Sequence, residues 1–179
     1  MNNWVILAVL VGAAVLATVL VLGMSGSKPG PLPEEFLPSE IAGFELVGSF
    51  EHVEPIFKGE EYSSLVSFAP VEGSQFSGKI ERMGITAYVF KDKRSARAAG
   101  ELLGSTYPDA EEVELDGQRA SAFTEAAAGQ AGLIWQEGPI LYEVFVTAPG
   151  GDEIDLEALQ QAALAGARAV LGLWEALSR

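Results

Sequence analysis

The sequence predicts an α+β fold, an antiparallel sheet of about six to seven strands with two helices on one face, preceded by a single N-terminal transmembrane helix. Three observations predict it. The chain opens with an uncharged apolar run, its middle holds short extended runs rich in β-branched and aromatic residues, and two segments carry apolar residues three and four apart. Each of those segments follows a group of extended runs. That order suits antiparallel pairing, because parallel neighbours need a crossover after every strand.

Taken in chain order, residues 1–24 are the transmembrane anchor, 25–35 a Pro/Gly linker and 36–179 an acidic α+β domain. From Trp4 to Met24 the side chains carry no charge and one hydroxyl, Thr18. At about 1.5 Å per residue the run makes a helix of roughly 31 Å, the thickness of a bilayer's hydrocarbon core. A secretory signal peptide has a shorter apolar stretch and a basic start, whereas Met1, Asn2 and Asn3 precede this one. Trp4 suits an interfacial position. Ala8 with Gly12 and Ala13 with Ala17 are small-xxx-small pairs, the candidate face for packing against another membrane helix. Only Lys28 flanks the run closely, and large C-terminal domains translocate largely regardless of charge, so the domain is expected outside the cytoplasm. Ser25 to Pro33 (SGSKPGPLP) excludes helix and reads as a tether.

In the domain, extended runs are expected over Phe44–Val53, Tyr62–Ala69 and Ile80–Phe90. Asp92 is the expected N-cap for a helix from Lys93 to about Leu103, with Ala96, Ala99, Gly100 and Leu103 on one face. Asp116–Gly117, between EVEL and QRASAFTE, signals a two-residue hairpin, and Glu137–Gly138 joins GLIWQ to PILYEVFVTA. After Gly150 and Gly151 a closing helix runs from Asp152, with Leu156, Leu159, Ala163, Ala167, Val170, Trp174 and Leu177 on its apolar stripe. Both halves end in a hairpin feeding a helix, the outline of an old duplication, but too few residues align between them to make a repeat.

Charge narrows the function. Lys and Arg number 11 and Asp and Glu 25, a net charge of -14 that falls entirely outside the apolar leader. Such a field repels phosphate backbones, so nucleic acid is not an expected partner, and it holds the domain off anionic headgroups. The chain has no cysteine, which removes disulfides, thiolate chemistry, sulfur-based metal sites and a lipidated N-terminal cysteine.

The motifs for catalysis are weak. His52 is the only histidine, no G-x-S-x-G accompanies it, and unbroken alternation from Phe44 puts it on the face of Leu46 and Phe50 unless Gly48 marks a bulge. Glu111, Glu112, Glu114 and Asp116 resemble the start of a calcium loop, but Phe123 stands where the closing glutamate belongs. Glu81, Glu137 and Glu143 are the candidates for paired-carboxylate chemistry, and exposure on strands or turns is their ordinary explanation. No phosphate-cradling glycine motif occurs. No residue is assigned a catalytic, cofactor-binding or metal-binding role. Lys91, Lys93, Arg94 and Arg97 open the first helix and are the candidate contact for an acidic partner. Tyr88, Phe90, Trp135, Tyr142, Phe145 and Trp174 are read as core, with a lipid or quinone cavity between sheet and closing helix as the alternative.

The expectation is a membrane-anchored, noncatalytic, extracytoplasmic protein-interaction module, an accessory subunit of a membrane complex. A binding protein for a small apolar ligand and a pilin-like surface-filament subunit are the alternatives. The pilin pattern lacks its basic residues and processing glycine before Trp4.

Overall fold

The structure, a computed structural model, describes residues 39–52, 54–150 and 154–177. The expected anchor, with Ala8, Gly12, Ala13 and Ala17, and the linker lie outside the described residues. Among the described residues no helix is long and apolar enough to cross a membrane.

Among the described residues eight strands form one sheet: β1 (Glu40–Ile41), β2 (Phe44–His52), β3 (Glu60–Pro70), β4 (Arg82–Phe90), β5 (Glu111–Leu115), β6 (Gln118–Glu125), β7 (Gln130–Glu137) and β8 (Ile140–Thr147). Every neighbouring pair is antiparallel, in the order β1-β2-β3-β4-β8-β7-β6-β5. Two meanders therefore meet through β4 and β8. Helix α1 (Lys93–Ser105) follows the first meander and α2 (Leu156–Leu177) the second. The α+β class and the antiparallel sheet are as the sequence predicts. The strand count rises from six or seven to eight through β1, whose two residues are too few to show a period.

The helices are the larger correction, because they cover opposite faces of the sheet rather than one. On β8, Leu141 belongs to the cluster beneath α1, with Tyr88, Phe90, Phe123, Ile134, Ala96 and Ala99. Its neighbours Tyr142, Val144 and Val146 belong to the cluster beneath α2, with Met83, Leu133, Trp135 and Leu159. Successive side chains of a strand point to opposite faces, so the two clusters are separate layers. The reason is room. α1 leaves β4 and crosses β8 and β7 to deliver the chain to β5 at the far edge, and α2 packs on the same three strands. One face accommodates only one helix there. The central strands consequently lose their polar face: β8 reads ILYEVFVT with no alternation, the mark of a strand buried on both sides. The placement also disposes of a simple duplication. A two-fold axis relating antiparallel β4 and β8 runs perpendicular to the sheet and would leave both helices on one face.

Local chemistry places the elements. The Asp92 carboxylate accepts the Ser95 N–H at 2.7 Å and caps α1 as expected. Ala96, Ala99 and Gly100 let α1 lie close on the sheet, and a Cβ at Gly100 would come within 3.1 Å of Leu141. The closing helix starts later than Asp152, at Leu156, because Asp155 accepts the Ala158 N–H at 3.0 Å and holds Lys79 at 3.0 Å. The Asp116–Gly117 turn has positive φ at both residues, 50° and 84°, as its hairpin requires. In β2 the register slips between Leu46 and Gly48, so Val47 is an extra residue. Phe44 is buried with α2, whereas Phe50 beyond the bulge is exposed. The alternation that grouped Phe44 with Phe50 and His52 breaks there, and His52 pairs in register with Ser63.

Candidate functional site

On the face that carries α2, the helix leaves part of β5 and β6 open, and a groove of about 510 Å³ runs between them. Its floor is Val113, Ala122, Ala131 and Leu133. The register places Glu111 opposite Ala122 and Val113 opposite Ala120, so alternation sends these side chains to the same face. The inner wall is the flank of α2, with Gln160, Leu164 and Arg168 four residues apart on one ridge and Ala163 behind them. Leu164 is only partly buried, as are Val113 and Ala122. Gln160 donates to Thr124 Oγ1 at 3.1 Å, and the Arg168 guanidinium stands 3.7 Å from Asp116, so each end of the ridge is tied to the second meander. The outer wall carries Asp109 and Glu111, while Glu114, between Val113 and Leu115, lines it through the β5 backbone with its side chain on the opposite face. The arrangement is an apolar trough with an acidic outer lip and a wall cation that already has a partner.

A second constellation lies under α1. Glu143, expected to be exposed, is 7% exposed at the centre of the sheet. Its carboxylate accepts hydrogen bonds from the Tyr88 hydroxyl at 3.1 Å and the Tyr107 hydroxyl at 3.4 Å. Burial pushes the Glu143 carboxyl above the usual carboxylate range, against the pull of the two phenols. Burial, then the Glu143 charge, raises the Tyr88 phenol as well and brings Tyr107 to about 12. Thr86, register partner of Glu143, is buried beside them. Both carboxylate oxygens are occupied by phenols, and Glu143 is not among the residues lining the groove. The cluster is a satisfied polar island in an apolar layer, and it orients Tyr107, whose ring stacks on Phe123 at 3.7 Å.

The other candidates fare differently. Lys91, Lys93, Arg94 and Arg97 are exposed at the start of α1, but the Ser95 N–H there is taken by Asp92. Glu112 pairs with Arg119 at 3.5 Å, and Glu114 faces Arg119 in register, so the calcium-loop resemblance resolves into one strand of a hairpin. Among the described residues no cluster of His, Asp or Glu has metal-site geometry. Glu81 is exposed; Glu137 is half-buried and burial raises its carboxyl. The aromatic set divides between the layers, with Trp135 stacked on Tyr142 at 5.1 Å beneath α2 and Tyr88, Phe90 and Phe145 beneath α1, so it lines no common cavity. The Trp174 side chain lies outside the described residues. Sequence reasoning did not find the groove, although the spacing of Gln160, Leu164 and Arg168 beside the apolar stripe of α2 was there to be seen.

No protein-family profile and no curated protein sequence matches the chain. Among solved structures the chain is similar to a GTP binding regulator from Thermotoga maritima, with a TM-score of 0.41 and 10% identity over 73% of this chain and 83% of that one. At that score the likeness carries no argument about fold or function.

Proposed function

We propose that this protein is a membrane-tethered, noncatalytic interaction module that presents the groove between α2 and the β5–β6 hairpin to a partner protein, as an accessory subunit of a membrane complex. The groove supports the reading: partly buried Val113, Ala122 and Leu164 form an apolar strip beside an acidic lip. Apolar floors with polar rims are the usual anatomy of docking surfaces. The tether is the uncharged run Trp4–Met24, and the proline- and glycine-rich segment after it gives the domain reach on the outer side of the membrane. The net charge of -14 favours a basic partner surface and disfavours nucleic acid.

The test is co-purification of the full-length chain from its native membranes in mild detergent, with Ala122→Gln and Leu164→Gln alongside. The reading expects a protein that stays with the wild type and is lost from both variants while their thermal melts stay within a few degrees. It fails if the wild type brings no partner, or if the variants keep it.

One observation favours a second reading. A groove of about 510 Å³ is within the usual size of small-molecule sites, so a small apolar ligand taken from the bilayer is the alternative occupant. Native mass spectrometry of the protein from its own cells decides it by the presence or absence of a bound lipid or quinone.

A further inference from the structure

We infer that the groove receives an amphipathic helix of its partner, lying alongside α2 with apolar residues on the floor and lysine or arginine on the flank next to β5. The inference rests on the docking reading above and adds the chemistry of the occupant.

Shape is the first argument. The ridge from Gln160 through Leu164 to Arg168 covers eight residue steps of α2, about 12 Å at 1.5 Å per residue, so the trough is about two helical turns long and parallel to a helix. The sheet strip over β5 and β6 is about 10 Å wide at the usual strand spacing, and neighbouring helices pack with axes about 8–10 Å apart. A helix laid there completes the layer that α2 begins. An extended strand fits less well. It would pair with the outer edge of β5, one spacing farther from α2, and would leave Leu164 untouched.

Charge is the second argument. Asp109 and Glu111 stand on the outer wall, while Arg168, the cation among the described wall residues, already faces Asp116 at 3.7 Å. The uncompensated field in the trough is negative, so an incoming helix gains from cations on that flank and loses from anions. Desolvating the apolar floor supplies affinity, and the lip selects the partner and its orientation.

The test uses the full-length chain in nanodiscs, with empty nanodiscs subtracted, and three fluorescent peptides of about 18 residues read by anisotropy. All share one set of leucines and alanines. The first places them on one helical face with lysines on the flanks, the second replaces the lysines with glutamates, and the third alternates the lysine composition for a strand. The lysine helix is expected to bind about tenfold tighter than the glutamate helix, a difference of about 1.4 kcal/mol. Asp109→Lys with Glu111→Lys reverses that preference, added salt shrinks it, and Leu164→Gln weakens both helices. Equal binding of the two helices, no binding of either, or tighter binding of the strand peptide overturns the inference. If the native partner is still lost from Ala122→Gln and Leu164→Gln, the docking reading survives and only the helical, basic occupant is refuted.

Discussion

Substituting Gly132 by alanine tests the two-faced packing at its tightest point. Gly132 lies in β7, opposite Phe145 on β8 and Phe123 on β6, and Gly84 lies opposite Phe145 on its other side. Glycine and phenylalanine thus alternate across four strands in one row on the α1 face, and each ring lies over the space a side chain would fill. A Cβ at Gly132 would meet Phe123 Cζ at 2.4 Å and the Val144 carbonyl oxygen at 2.5 Å. Phe123 cannot swing away, since it is 3% exposed and stacked on Tyr107. The carbonyl is backbone in the central strand and moves only if β7 and β8 part. Overpacking of this kind costs about 3 kcal/mol, the upper part of the usual range, and lowers Tm by roughly 6–12 °C for a chain of this size. Gly104→Ala is the control: nothing lies within 4 Å of its added carbon, and it sits in α1. It should stabilise by about 0.5 kcal/mol, because alanine is the better helix former. Urea unfolding followed by circular dichroism reads both. If Gly132→Ala unfolds within about 0.5 kcal/mol of wild type, the close packing of the α1 layer is wrong.

Three further outcomes are expected. Glu143→Gln changes the pH dependence of stability: the folded carboxyl is held above its unfolded value, so its contribution is full below the ordinary carboxyl pKa of about 4.3 and is lost as pH rises through the raised value. The variant should therefore gain on wild type as pH rises above about 4.3, and a urea-midpoint difference that stays constant as pH rises from there contradicts it. Leu159→Ala, at a position of α2 fully buried against the sheet, should cost about 2–5 kcal/mol by the same measurement, and a loss under 1 kcal/mol means that α2 is not docked as described. Deleting residues 4–24 should move the chain from the membrane to the soluble fraction on alkaline washing, whereas retention at the membrane defeats the tether.

Local signals were legible and layer assignment was not. The Asp92 cap, the Asp116–Gly117 turn and the small face of α1 each depend on neighbours within a few residues, and each is in the structure where the sequence puts it. Which face a helix covers depends on which strands lie side by side. The unbroken apolar run of β8 carried that information, since a strand with one wet face would have alternated. The bulge at Val47 shifted everything after it by one face, which is why Phe50 is 57% exposed although its spacing from Phe44 reads as core. Glu143 was hidden for a related reason. A glutamate in a strand is ordinarily solvated, and the phenols that receive it come from β4 and from the turn after α1, far off in sequence. The Gln160, Leu164 and Arg168 ridge was in the sequence, but the groove beside it is the space left where α2 ends its coverage and β5 has not yet ended the sheet.

The central claim is that the partner sits in the groove beside α2, and site-specific photocrosslinking in native membranes tests it most directly. A photoreactive residue at Glu111 or Gln160, on the two walls, should give a heavier species on ultraviolet exposure, while the same group at Glu101, exposed on α1 across the sheet, should give none. Crosslinks from Glu101 with none from the two walls would contradict the account.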